Sequence, residues 1–290
     1  MPIIPPVSAS GILRFEWVDP GGTTRDLTWQ TSPRLFVARG ATGLGMAEVE
    51  FAADKIPYAS GSLVRHVNVP PRRIELPIVV REDSIGDLVL TVDDLREWFG
   101  TADERVRDPG YLKVTRPDGS VRKIAAYYAG GLEGDMGAGG TGWTQYVVSL
   151  YCPDPWATAD EETVLTYTTA DLPTFSMING GELDAYPIWT ITGPVAIASA
   201  ANVTTSKSWT HDAQLAGGET LIVDTRPASI RTTSQVYDGT GANRYADLNP
   251  ASSLFWLVPG QNNLAAALTG TSGATEVELR YLARYRGLLR

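Results

Sequence analysis

YVVSLYCPDPWAT, residues 146–158, is the stretch that divides this chain. Tyr146, Val148, Leu150 and Cys152 alternate with Val147, Ser149 and Tyr151, a period of two in β-branched and aromatic residues that predicts a strand with a buried face. Pro153 and Pro155 end it. Neither has the amide hydrogen a continuing ladder needs, and each drives the residue before it towards extended backbone, so the chain must leave the sheet. Polar and acidic sequence follows until apolar runs resume near Pro187. The boundary is placed here, with residues 1–155 as one domain and 156–290 as another.

Bulk properties agree with two domains. At 290 residues the chain exceeds the size at which one core usually stops growing. Residues 1–155 carry 16 basic and 20 acidic side chains and the remainder 8 and 13, within a net charge of -9. No segment is basic, which argues against nucleic-acid binding through phosphate neutralisation. No run of about 18 apolar residues is present, so no membrane insertion is expected. The prolines near the start and the lack of a basic n-region do not fit a secretory signal, and assembly in a reducing cytoplasm is expected. The single cysteine excludes an intrachain disulfide.

Residues 12–18 (ILRFEWV) predict a strand, Asp19-Pro20-Gly21-Gly22 a turn, and residues 26–30 the return strand. Residues 33–62 mix glycine with short apolar runs and hold no period, so they predict either a long irregular arm or a loop that orders against something else. Alternation returns in residues 63–81 on either side of Pro70-Pro71, and Pro77 predicts an edge position or a bulge. A short helix is expected over residues 92–99, capped by Thr91 and stopped by Gly100. Arg116-Pro117-Asp118-Gly119 predicts a hairpin within residues 111–128. The glycine-rich run 130–142 predicts a mobile connection between strands. Past Pro187, short segments at 195–197, 208–210, 219–224, 229–232, 253–258 and 276–285, separated by turn residues, predict a β-sandwich or jelly roll. Leu264 to Leu268 has helical propensity but is too short to stand alone as a helix.

Chemistry is hard to find. Gly43 and Gly45 lie in GATGLGMAE, but Glu48 stands where a third dinucleotide-binding glycine would be and no helical pattern follows. His66 and His211 lie in or beside strand patterns without a nucleophile motif. Cys152 reads as a small buried hydrophobe. Asp93 and Asp94 suit a helix N-terminus, and Asp160-Glu161-Glu162 a solvated linker. Trp17, Trp143, Trp189 and Trp256 lie in strand patterns and are expected in the core. No catalytic centre, cofactor or metal is expected.

Several features in order resemble the distal tail proteins of long-tailed phages with non-contractile tails, the siphovirus-type tail components. They are ELPIVVR at 75–81 followed by DDLREWF, CPDPWAT at 152–158, YPIWTITGP at 186–194, LIVDT at 221–225, SLFWLVPGQNNL at 253–264 and EVELRYLARYRGL at 276–288. The resemblance covers almost the whole chain. It implies a mainly β protein with no enzymatic role. Its N-terminal domain would be a β-sandwich or split barrel with one short helix and an extended arm, and its C-terminal domain a galectin-like β-sandwich. It further implies a homohexameric ring at the virion tail tip, joining the tail tube protein to the hub or tail-associated protein around the tape-measure protein, with a receptor-binding protein as a possible further partner. On that footing Gly43, Met46, Val49, Phe51, Ile56 and Tyr58 are expected in a subunit-contact arm, and Gly134, Asp135 and Met136 in a tube-facing loop. The alternative is a carbohydrate-binding host-recognition module, in which an exposed Trp209 would stack on sugar rings.

Overall fold

The computed structural model describes residues 11–56, 58, 60–100, 108–133, 142–231 and 233–289. They form a mainly β protein with one α-helix, in two units: Met1–Asp160 with Arg286–Arg290, and Glu161–Tyr285. The boundary falls a few residues past the paired prolines, and the chain re-enters the first unit at its last residues.

In the first unit the strands are β1 (Arg14–Val18), β2 (Thr24–Asp26), β3 (Leu35–Val37), β4 (Glu50–Lys55), β5 (Ser62–Asn68) and β6 (Arg72–Arg81). Helix α1 (Ile85–Phe99) follows, then β7 (Gly110–Thr115), β8 (Val121–Gly130), β9 (Trp143–Cys152) and β10 (Ala157–Ala159). The main sheet runs β2-β1-β7-β8-β9-β6-β3, all antiparallel, with β10 added on β8. The sheet curls. Leu27 N–H bonds the Phe15 carbonyl and Val37 N–H bonds the Leu27 carbonyl, so the ends of the path approach through one residue and make a half-barrel. Its interior is the even-numbered face of β6 and β9: Ile74, Leu76, Ile78, Val80, Val148, Leu150 and Cys152 are all fully buried.

Pro77 lies between two partners, not at a free edge, because β6 pairs with β9 on one side and β3 on the other. The physical reason is local. Strand β3 ends at Val37; beyond it Ala38 N–H donates to the Pro77 carbonyl and the Thr42–Glu75 bridge resumes pairing, so the missing amide falls in the gap between these contacts. The helix is longer than its sequence suggested. Ser84, not Thr91, is the N-cap and accepts from Asp87 N–H, and Leu88, Val92, Leu95 and Phe99 form the buried face at helical spacing. The earlier turn was hidden by exposed Ile85, Val89 and Leu90, which blur the apolar stripe. Trp17 fixes the helix end, stacking on Phe99 at 4.7 Å and donating from Nε1 to the Trp98 carbonyl at 2.8 Å.

Asp160 is no solvated linker residue. It accepts from Lys113 at 2.7 Å and lies 3.4 Å from Lys123. Burial opposes its ionised form, but the two ammonium groups outweigh that and hold its pKa below the usual carboxylate range.

The second unit contains β11 (Thr163–Thr168), β12 (Phe175–Asn179), β13 (Ile188–Thr192), β14 (Val195–Asn202), β15 (Lys207–Leu215), β16 (Thr220–Asp224), β17 (Val236–Asp238), β18 (Gly260–Leu268) and β19 (Glu276–Tyr281). One sheet is β11-β19-β13-β16-β17 and the other β12-β18-β14-β15. Both contribute to one core, centred on Trp189, with Trp209 at 5.8 Å and Phe255 at 6.0 Å packed edge-on against it. Ala198, Ala200, Ala213 and Ala266 face the same core, and their small size leaves room for the indoles.

Several expectations change here. Leu264 to Leu268 is strand, because alternation of buried and exposed alanines along β18 overrides alanine's helical preference. Residues 253–258 form no strand; only Leu257 pairs, with Ala185. Ala228–Ile230 is a 3-10 turn where strand was expected from 229, and residue 232 lies outside the described residues. Trp143 is half exposed instead of buried, and Trp209, at 1% exposure, is core and offers no stacking platform.

Three outcomes follow from this packing. Leu76→Ala, in the centre of the half-barrel, destabilises by about 2–5 kcal/mol in urea unfolding. Trp209→Ala costs about 3–5 kcal/mol by the same measurement and lowers the stability of the second unit. Because the folded pKa of Asp160 is depressed, its contribution is present above the unfolded value of about 3.9 and is lost as pH falls through the folded value. Asp160→Asn therefore narrows the stability difference between pH 7 and pH 3 relative to the parent protein.

Candidate functional site

Strands β4 and β5 stand apart from the sheets of the first unit as a two-stranded ribbon, and every residue of both is exposed. An isolated hairpin is marginal in water, and this one carries exposed apolar side chains as well. Its register explains which way it faces. Phe51 pairs with Val67 and Ala52 with His66, but the next pair is Ala53 with Val64, so Arg65 is an extra residue. Directly opposed residues share a face. The bulge therefore brings Val64 to the side of Val67, three positions away, and collects Phe51, Ala53, Val64 and Val67 on one face. Asp54, His66 and Leu63 take the other, where Asp54 meets the displaced Arg65 at 2.8 Å. The sequence conceals this face, since Val64 and Val67 have opposite parity in an unbroken strand.

Among the residues expected in the arm, Met46, Val49, Phe51, Ile56 and Tyr58 are exposed, Tyr58 completely. Gly43 is different. It sits at the root of the arm with φ of 76°, and a Cβ there would overlap the Arg73 carbonyl, so this backbone contact with β6 requires glycine. The root continues through buried Leu44 and Ala47. Gly134, Asp135 and Met136 lie outside the described residues.

Two further surfaces of the first unit are unlike each other. The odd-numbered face of β9 exposes Trp143, Val147 and Tyr151, opposite Arg81, Pro77 and Arg73 of β6 in register. Helix α1 packs on the even-numbered side of β6, leaving Ile85, Val89 and Leu90 exposed beside Asp87, Asp93, Asp94 and Glu97. The sheet surface carries Arg73 and Arg81 at its ends with Glu75 between them, and the helix surface is net acidic although Asp93 is paired with Arg96.

The groups that carry chemistry elsewhere are spent on structure. Cys152 is buried and its thiol pKa is pushed up to about 12 by burial, which keeps it protonated and unreactive. His211 is fully buried with Nε2 2.9 Å from the Arg244 carbonyl; burial lowers its pKa, so it is neutral and donates from Nε2. Asp224 is buried against Arg226 in a two-pronged ion pair. Among the described residues no group of His, Cys, Asp and Glu is placed to hold a metal ion, and no helix is long and apolar enough to cross a membrane.

Comparison with known proteins bears on the overall fold and on the second unit. Residues 180–285 match the family model described as the siphovirus-type tail component, C-terminal domain. The crystal structure of the SPP1 Dit protein, described as a paradigm of the hub adsorption apparatus in phages infecting Gram-positive bacteria, is similar with a TM-score of 0.67 at 17% identity, covering 93% of this chain and 98% of that one. A chain of the phage p2 baseplate in its activated conformation is similar with a TM-score of 0.53 at 9% identity, in both the calcium form, covering 93% of this chain, and the strontium form, covering 94%. Curated protein sequences give no match. Residues 180–285 therefore match the C-terminal domain of the siphovirus-type tail component family, and the chain as a whole is similar in fold to SPP1 Dit.

Proposed function

We propose that this chain is an adaptor of the phage tail tip, assembling as a homohexameric ring that joins the tail tube protein to the hub protein around the tape-measure protein. The observation that carries this reading is the β4–β5 arm: a ribbon with Phe51, Ala53, Val64 and Val67 gathered on one exposed face needs a partner to cover them. A second copy meets that need, and the same contact repeated around an axis closes a ring. The two unlike surfaces of the first unit support a head-to-tail arrangement. The sheet face that carries Arg73 and Arg81 complements the net acidic helix face, and a heterologous pairing of unlike patches is what a cyclic assembly uses. The description of SPP1 Dit as part of a hub adsorption apparatus supports the position at the tail tip.

On this reading the second unit presents a sandwich surface to a receptor-binding protein. Carbohydrate stacking has no support from Trp209, whose indole is shared with the core of the sandwich.

Size-exclusion chromatography with light scattering tests the ring. The parent protein is expected at the mass of six copies. Phe51→Asp and Val67→Asp, both at exposed positions, are expected to leave the unfolding free energy of the dissociated chain within about 0.5 kcal/mol of the parent while shifting the protein to monomer. A chain that stays monomeric at high concentration, with or without tube and hub proteins, sinks the proposal.

A further inference from the structure

The last described residues, 286–289, turn back into the first unit and land on the root of the arm. The Leu288 and Leu289 amides both donate to the Leu44 carbonyl, at 2.9 and 3.1 Å. Arg72, the first residue of β6, ties the two stretches together. Its Nη1 donates to the Gly43 and Gly45 carbonyls at 3.1 and 2.9 Å, and its Nη2 donates to the Arg286 carbonyl at 2.7 Å. Arg122 of β8 holds the next residue, donating to the Gly287 carbonyl at 2.8 Å. Gly287 passes so close that an added Cβ would overlap the Gly45 carbonyl, and Leu288 is fully buried.

From this geometry we propose that residues 286–289 are the element that positions the arm, with Arg72 as the positioning residue that transmits their hold to its root. The physical argument is one of donors. Residues 43–45 turn with their carbonyls directed at one place, and a loop of this kind keeps its shape only if those acceptors are satisfied. The donors come from one guanidinium, whose planar fork can serve carbonyls on two chain segments at once, and from the amides of the returning segment. The ribbon has no sheet neighbours of its own, so its direction is inherited from this root. The inference rests on the reading of the arm as an assembly element.

Hydrogen exchange on the full chain separates the two. In Gly287→Val and Arg72→Met, amide exchange at residues 42–47 is expected to rise at least tenfold while β9 keeps its protection, and ring formation at a fixed concentration is expected to be lost. Arg72→Lys, which keeps the charge but not the fork, is expected to show the same local rise. Leu288→Ala serves where Gly287→Val does not fold. Unchanged exchange at the root in these variants overturns the proposal, and so does faster exchange with intact rings. A parent protein that never forms rings removes the ring reading alone, and the exchange at the root still decides whether residues 286–289 hold it.

Discussion

The ladder between β6 and β9 is the constraint from which the first unit is built. All ten residues of Arg72–Arg81 pair in register with Cys152–Trp143 without interruption. A period of two then sends every even-numbered side chain of both strands into the half-barrel and every odd-numbered one outward. The inner set supplies the core that seats α1. The outer set supplies the face with Trp143, Val147 and Tyr151. The ends of the same pair have further uses: β9 runs into the prolines that release the chain towards the second unit, and β6 opens with the arginine that grips the arm's root.

Much of this was legible from local chemistry. The β9 strand and its abrupt stop, the hairpin around Asp118-Gly119 and the many short strands past Pro187 all depend on residues that neighbours in sequence determine. Where the reading fell short, the deciding partner lay far away. Pro77 suggested an edge because its missing amide is visible in the sequence, whereas the early end of β3 that makes the gap harmless is not. The start of α1 was hidden because Ile85 and Leu90 face outward. Leu264 to Leu268 has helical propensity but is too short for a helix, and only the pairing of β18 between β12 and β14 shows it to be strand.

The arm divides the same way. Its exposed apolar residues were apparent, but the ribbon form and the bulge at Arg65 depend on cross-strand register, which no spacing rule reveals. Trp209 was misplaced for a related reason. An aromatic in a strand faces in or out by parity, and the parity of β15 puts Trp209, His211 and Ala213 on the inner face. The sandwich thus keeps its largest buried aromatic rings, Trp189, Trp209 and Phe255, for stability.

The return of residues 286–289 also has a bearing on how the molecule is made. Residue 44 leaves the ribosome 245 residues before residue 289, an interval of roughly 12–50 s at a translation rate of about 5–20 residues per second. Throughout that time the nascent arm lacks the amides that hold its root, and a chain cut short before residue 286 never acquires them. The fold thus couples the setting of the arm to synthesis of residues 286–289, so chains that lack them carry a loose appendage in place of a set one.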